Sequence, residues 1–430
     1  MRFLPVITVL SAAIVASGAS AYTLKSLYSF CPEFGCRDGM WPVGGLVADA
    51  SGNLYGVAKS GGNGKGTTEG GTVFELSPNG SGAWTYQVLH NFCAKADCAD
   101  GEEPISGLII GSDGTLYGTT FAGGTHSNGV VFKLVPNAGH TAWRETVLYN
   151  FCALSACADG TEPSGVLAYQ GAASGVPYDG TSPLYATTWL GGAHDQGVVF
   201  RLASDRRGRF SETVLHDFCP STGCADGQSP RTGVVIDGTG ALYGVTYLGG
   251  ANQQGALFKL TNTGGDSWSE SVLASFCSER HCTDGQQPSA VPVIDGTGAL
   301  YGVTLQGGNR GKGLLYTYAS GSLSALYAFC PGTKCTDGAA PESPVILDAS
   351  GNLFGTTSQG VNDANHNTPH GKAFEWNGSY QVLYNFCSQA NCTDGDLPSS
   401  PLLLDSSGNL FGETLQGGSG NSGTVYELVP

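Results

Sequence analysis

Short apolar runs of five to eight residues, rich in Val, Leu, Tyr, Phe and Thr, alternate along this chain with clusters of Gly, Asp, Asn and Pro. One stretch shows the grammar: SGLIIGSDG from Ser106, TLYGTTFAGG from Thr115, GVVFKLVP from Gly129 and WRETVLYNF from Trp143. Runs of this length and composition, bounded by turn-forming residues, read as antiparallel β-strands. Four of them make a unit, here lettered A, B, C and D. The A-to-B turns, written DASGN, GSDGT, DGTGA and DSSGN, carry the Asp and Gly chemistry of tight hairpins. No helical period is visible after residue 21.

The unit repeats. A phrase of Phe-Cys, four residues, Cys, one residue, Asp-Gly, two residues and Pro begins at Phe30, Phe92, Phe151, Phe218, Phe276, Phe329 and Phe386, spaced 53 to 67 residues apart. Regular self-similarity of this kind marks an array of identical supersecondary units. Four strands per unit without helices point to an all-β, seven-bladed β-propeller with four-stranded antiparallel blades. The competing architecture is an open β-solenoid, and the chain ends weigh against it. The chain opens on a D-type strand, YTLKSLYSF from Tyr22, and closes on a C-type strand, GTVYELVP from Gly423. The last repeat therefore borrows its outer strand from the N-terminal one, which closes the ring and removes an open sheet edge. Residues 22–430 read as a single propeller domain.

The ordered phrases LYGTT, GG, GVVFKL, VLYNF, Asp-Gly-x-x-Pro, GLII and DGTLYG resemble the GloVer tandem repeats of "choice-of-anchor" bacterial surface proteins. The resemblance runs over essentially all of residues 22–430 and implies a propeller fold, without a chemistry that transfers. More distantly, the Asp-x-x-Gly-Asn-Leu-Tyr hairpin is similar to NHL-like and streptogramin-lyase-like propellers, whose catalytic residues find no counterpart here. The sequence departs from the GloVer pattern in carrying a cysteine pair in every repeat, and no anchor is recognisable in it.

The first 21 residues read as a secretory signal peptide: Arg2, an apolar stretch from Phe3 to Val15, then Ala19-Ser20-Ala21 as cleavage site. The expectation is a secreted or periplasmic monomer with no membrane span. In that setting the fourteen cysteines, all spaced C-x4-C, predict seven local disulfides. The pairs are Cys31–Cys36, Cys93–Cys98, Cys152–Cys157, Cys219–Cys224, Cys277–Cys282, Cys330–Cys335 and Cys387–Cys392. Zinc is the rival reading, but each pair stands alone without the further ligands a tetrahedral site needs. A net charge of −16 and a pI near 4.7, with no basic stripe, argue against nucleic acid as a partner.

In a four-strand meander the B-to-C and D-to-A connections share one end of every blade. The cysteine loops and the glycine loops thus decorate one face, where binding residues are expected. The Asp of each Asp-Gly turn recurs in all seven repeats, so it reads as an Asx-type turn residue. A calcium ring remains the alternative, not favoured because no converging oxygen set is evident. No cofactor is expected.

Breaks in the repeat symmetry are more informative. At the exit of strand B the series reads Lys59, Phe121, Trp189, Tyr247, Leu305, Ser358 and Leu415. Phe121, Trp189 and Tyr247, from three successive blades, are candidates for a sugar-stacking platform, against the alternative that they fill the wedge between blades. Glu413 stands where other repeats have Val or Thr, on the side of strand B that faces a neighbouring blade. A buried carboxylate with raised pKa is how a general acid is prepared, so Glu413 is a catalytic candidate with Lys59 as its expected partner. A structural ion pair is the alternative. His126, His194 and Asp195 lie in B-to-C loops, and His366 and His370 in the enlarged loop of repeat six. All five are ligand-binding candidates, without the spacing that would make them a metal site.

No G-x-S-x-G, H-E-x-x-H or phosphate-loop motif is present. Three readings follow: a propeller whose decorated face binds an extracellular glycan or cell-surface ligand, a polysaccharide lyase or glycoside hydrolase using that face, and a structural surface protein.

Overall fold

A computed structural model describes residues 22–33, 35–62, 70–332, 334–360 and 370–430. The expected leader and His366 lie outside these residues. Seven antiparallel sheets form the blades, at 40–91, 109–150, 161–217, 234–275, 286–328, 346–385 and 396–429. Blades 1 to 6 run in chain order from the inner strand A to the outer strand D, as blade 1 illustrates with Met40–Ala48, Leu54–Ser60, Thr72–Pro78 and Trp84–Asn91. Inner strands are the least regular. In blade 5 strand A is split into Gln286–Pro288 and Val293–Ile294. Pro288 and Pro292 cannot donate to the ladder, so this run breaks where the hydrophobic pattern alone suggests continuity.

The ring closes as the chain ends imply. Thr23–Ser29 is the outer strand of blade 7 and pairs antiparallel with Thr424–Val429, in register from Thr23 opposite Val429 to Ser29 opposite Thr424.

Two repeated contacts hold neighbouring blades together. The Phe of each Phe-Cys phrase ends a D strand and packs edge-on against the C-strand aromatic of the next blade. These pairs, such as Phe30 with Phe74, Phe92 with Phe132 and Phe386 with Tyr426, have centroids 4.9 to 5.3 Å apart. Burying two large rings in edge-to-face or tilted geometry adds apolar area to each wedge between blades. The motif Pro is the second contact. It sits on the glycine that opens strand C of the preceding blade, so closely that a β-carbon on Gly423 would collide with Pro42, or one on Gly129 with Pro163. Gly423 and Pro42 make this contact across the closure between blades 7 and 1.

Candidate functional site

The decorated face is built from the D-to-A cysteine loops and the B-to-C glycine loops. All seven expected disulfides are formed. In six described cases the carbonyl of the second cysteine accepts the N–H of the second loop glycine, as from Gly62 to Cys36 and Gly192 to Cys157 at 2.9 Å. The motif Asp locks each loop from inside. Asp159 accepts the Tyr149 hydroxyl at 2.7 Å and the N–H groups of Ala153 and Leu154 at 2.9 and 3.1 Å. Asp394 does the same for the Tyr384 hydroxyl and the Ser388 and Gln389 N–H groups. In blade 3, His216 replaces that tyrosine and places Nε2 3.0 Å from Asp226. The repeated Asp is thus a structural residue of its own loop, but it clasps N–H groups five to seven residues before it, where the expected Asx turn would take one two residues ahead.

The two residues that precede and follow the motif Pro shape the mouth of the ring. The preceding residue has left-handed φ in every blade, from +53° to +59°: Trp41, Glu103, Glu162, Ser229, Gln287, Ala340 and Leu397. Non-glycine residues seldom adopt this conformation, and it persists here because neighbours over-determine it. In six blades the N–H of this residue donates to a carbonyl in the preceding blade, from Trp41 to Ser422 at 2.8 Å and from Glu162 to Asn128 at 3.0 Å. In six blades the residue after the Pro lines an axial cavity of about 190 Å³, to which blade 6 contributes Pro344 instead. In chain order that position reads Val43, Ile105, Ser164, Arg231, Ser289, Glu342 and Ser399.

Phe121, Trp189 and Tyr247 are brought together at the edge of this mouth, each half-buried. The Phe121 and Trp189 ring centroids are 5.7 Å apart with planes tilted by 54°. A fourth member completes the row. The Arg231 guanidinium lies 3.8 Å from the Trp189 ring centroid and 4.2 Å from that of Tyr247, intercalated between the two. The aromatic trio is therefore a wall with a cation inside it, instead of three open faces. Burial pushes the Arg231 pKa down, offset in part by the Tyr247 side chain. Glu162 lies opposite Trp189 in the strand register, between the Thr161–Leu190 and Pro163–Thr188 pairs. Burial first, and then the charge of Asp195, push its carboxyl up. Glu342 is also pushed up by burial, against a hydrogen bond from Ser358 Oγ at 3.1 Å.

Comparison with known proteins agrees with the repeat analysis. The Gloeobacter/Verrucomicrobia repeat matches residues 13–183, 170–365 and 267–430, which together span nearly the whole chain. The chain belongs to this repeat family. No curated protein matches it. Among solved structures, a sialidase from Trypanosoma rangeli aligns at 9% identity with a TM-score of 0.42, covering 95% of this chain and 59% of the sialidase chain. A likeness of that size carries no inference about chemistry.

Within this Gloeobacter/Verrucomicrobia repeat protein the other candidates are divided between the rim and the wedge between blades. Lys59 and Glu413 do not pair. Lys59 Nζ lies 3.5 Å from Glu103 Oε2 of blade 2, so its charge is answered at the mouth. Glu413 has no exposed surface and is turned toward blade 1, where Oε2 accepts the Gly45 N–H at 3.0 Å and Oε1 has no partner. Burial pushes its carboxyl well above the usual range. The expected pairing fails because strand B carries Lys59 to the rim while alternation turns Glu413 into the wedge between blades. His126, His194 and Asp195 are exposed on the rim, and Asp195 accepts the Gly191 N–H at 3.1 Å. His370 is 3% exposed, with Nδ1 3.0 Å from Asp396, and is a buried loop residue. Two groupings of metal-ligand residue types, around His370 and around Glu102, are completed only by cysteine sulfurs. Those sulfurs are committed to the Cys387–Cys392 and Cys93–Cys98 disulfides and are not thiolate ligands.

Arg231 and Glu342 escaped the sequence reading, though the signal was available: aligning the residue after each motif Pro isolates both as the charged members of an otherwise neutral series. Among the described residues no helix is long and apolar enough to cross a membrane. Seven disulfides fit an oxidising compartment.

Proposed function

We propose that the mouth of the axial cavity on the cysteine-loop face binds an extracellular glycan, with Phe121, Trp189 and Tyr247 as its contact wall. The observation that carries this reading is the assembly of three half-buried rings from three blades beside a cavity that every blade lines. Concave sites with aromatic walls and few convergent polar groups are where ligands bind, and ring faces and edges suit the C–H surfaces of sugars. His126 and His194, exposed in the B-to-C loops of the same two blades as Phe121 and Trp189, are available as polar contacts. The test is a screen of polysaccharides that scores retention on the immobilised protein. Retention of none would overturn the reading.

A second reading, that the mouth is catalytic, is favoured by Glu162 and Glu342. Glu162 is half-buried beside the aromatic wall and Glu342 stands in a separate hollow with Leu305, Lys312 and Gln359, and desolvation raises both carboxyls from their ordinary value. A carboxyl prepared in this way suits general-acid work. The same screen, scored also for new reducing or unsaturated ends, separates this from binding alone. Loss of product in Glu342→Gln or Glu162→Gln with retention unchanged would identify the acid.

A further inference from the structure

Arg231 has no counter-charge among the described residues. Among the described residues the ion pairs engage Lys25, Lys59, Lys95, Arg201 and Arg209 with carboxylates, and none engages Arg231. Its Nε is buried without a hydrogen-bond partner. Desolvating a cation and leaving it unpaired is costly. The rings of Trp189 and Tyr247 return part of that cost through cation–π attraction. An apolar side chain could fill the same gap without the penalty, as Val43 and Ile105 do at the equivalent position of blades 1 and 2. Packing therefore explains a side chain at this place but not its charge.

The geometry says what the charge can do. With a ring on each face, the guanidinium plane is held, and the directions left for its N–H donors lie in that plane. A planar, pre-oriented fork of donors matches the two oxygens of a carboxylate better than any other common group on a sugar. Arg231 also lines the axial cavity of about 190 Å³. That volume lies below the usual range for a whole drug-sized ligand, so it admits a single sugar unit or its carboxylate arm while the rest of a chain lies across the rim. Of the acidic side chains at the mouth, Glu103 is paired with Lys59, which lessens its repulsion of an anion.

Resting on the glycan reading above, we propose that the mouth selects carboxylate-bearing sugars, with the uronate carboxylate on the Arg231 fork and the sugar body against the Trp189 wall. The net charge of −16 opposes any general attraction of polyanions, so retention of an acidic glycan by this protein reports a specific site.

The probes are oligogalacturonate, oligomannuronate and oligoglucuronate of matched length, each with its carboxyl-reduced neutral form. The wild-type protein should bind at least one uronate oligosaccharide roughly 10- to 100-fold more tightly than its reduced form, the scale of a charge-assisted hydrogen-bonded pair. Arg231→Gln should remove that preference, bringing the uronate and its reduced form within about 2-fold of each other. Arg231→Lys keeps the charge but not the fork and should lose more than about 5-fold of the preference, which carries the test if Arg231→Gln fails to fold. Equal binding of acidic and reduced forms, or a preference that survives in both variants, overturns the carboxylate inference and leaves the glycan reading standing. No retention of any acidic or neutral glycan overturns both.

Discussion

The mouth over blades 2 to 4 and the mouth over blades 5 to 7 rest on the same backbone and carry different chemistry. Both have the left-handed residue before the motif Pro and the Asp-locked cysteine loop. On one side strand B delivers Phe121, Trp189 and Tyr247, with Arg231 between two of them. On the other it delivers Leu305, Ser358 and Leu415, and Glu342 takes a hydrogen bond from Ser358. The difference teaches that what the blades share carries stability, and what they do not share carries recognition. A repeat fold allows this division because each blade contacts only its neighbours, so one sector can change its rim without disturbing the rest.

The comparison breaks most visibly at its shared frame. Removing residues 22–29 strips the outer strand from blade 7 and exposes Thr424–Val429 as a sheet edge. A loss of more than about 5 kcal/mol is expected, on the scale of a whole domain's stability. Thermal melting and size-exclusion chromatography should report a large drop in midpoint and aggregation; an unchanged monomer would mean the ring does not depend on this closure.

Matched substitutions in the two sectors sharpen the point. Asp159→Ala and Asp394→Ala each remove the acceptor of a tyrosine hydroxyl and of loop N–H groups, Tyr384 keeping Ser388 Oγ as a second partner, and each should cost about 2–4 kcal/mol by denaturant unfolding. The two costs should agree within about 1 kcal/mol. A loop that proved dispensable in one sector would show that the frame is not equally shared.

For recognition the sectors should part. Trp189→Ala is expected to weaken glycan retention by about 1–3 kcal/mol, the scale of a well-packed aromatic contact. Leu305→Ala, at the equivalent place in blade 5, should leave retention unchanged. Equal effects of both would place the ligand over the whole ring.

Glu413 tests a residue that belongs to neither role. Its raised folded-state pKa means that the carboxyl is held neutral, so its contribution to stability is full below the ordinary carboxylate range and is lost as pH rises through and above it. Glu413→Gln keeps an acceptor for the Gly45 N–H and removes the charge. A gain on the order of 1 kcal/mol near pH 7.5, shrinking toward pH 4, is expected in thermal melts, with ligand retention unaffected. Lys59→Ala should have the smallest effect, within about 1 kcal/mol, because the Lys59–Glu103 pair is partly exposed at the rim.

Much of the frame was legible because it is written seven times. The Phe-Cys phrase predicted the blade count and the disulfides, and the D-type strand at one end with the C-type strand at the other predicted the closure. Symmetry breaks at strand B marked Phe121, Trp189 and Tyr247, and strand alternation turned Glu413 toward a neighbouring blade. Each is a property of local pattern, since period-two alternation and turn chemistry depend on near neighbours in sequence. Three things were decided only in tertiary structure. Lys59 met Glu103 instead of Glu413, because which charges meet across a blade junction depends on how far each strand end reaches toward the rim. The left-handed backbone before the motif Pro arises, in six blades, where the preceding blade supplies a carbonyl for its N–H group, a contact between residues distant in sequence. And Arg231, one charged residue in a loop of ordinary composition, became the centre of the mouth only when blades 3 and 4 placed Trp189 and Tyr247 on either side of it.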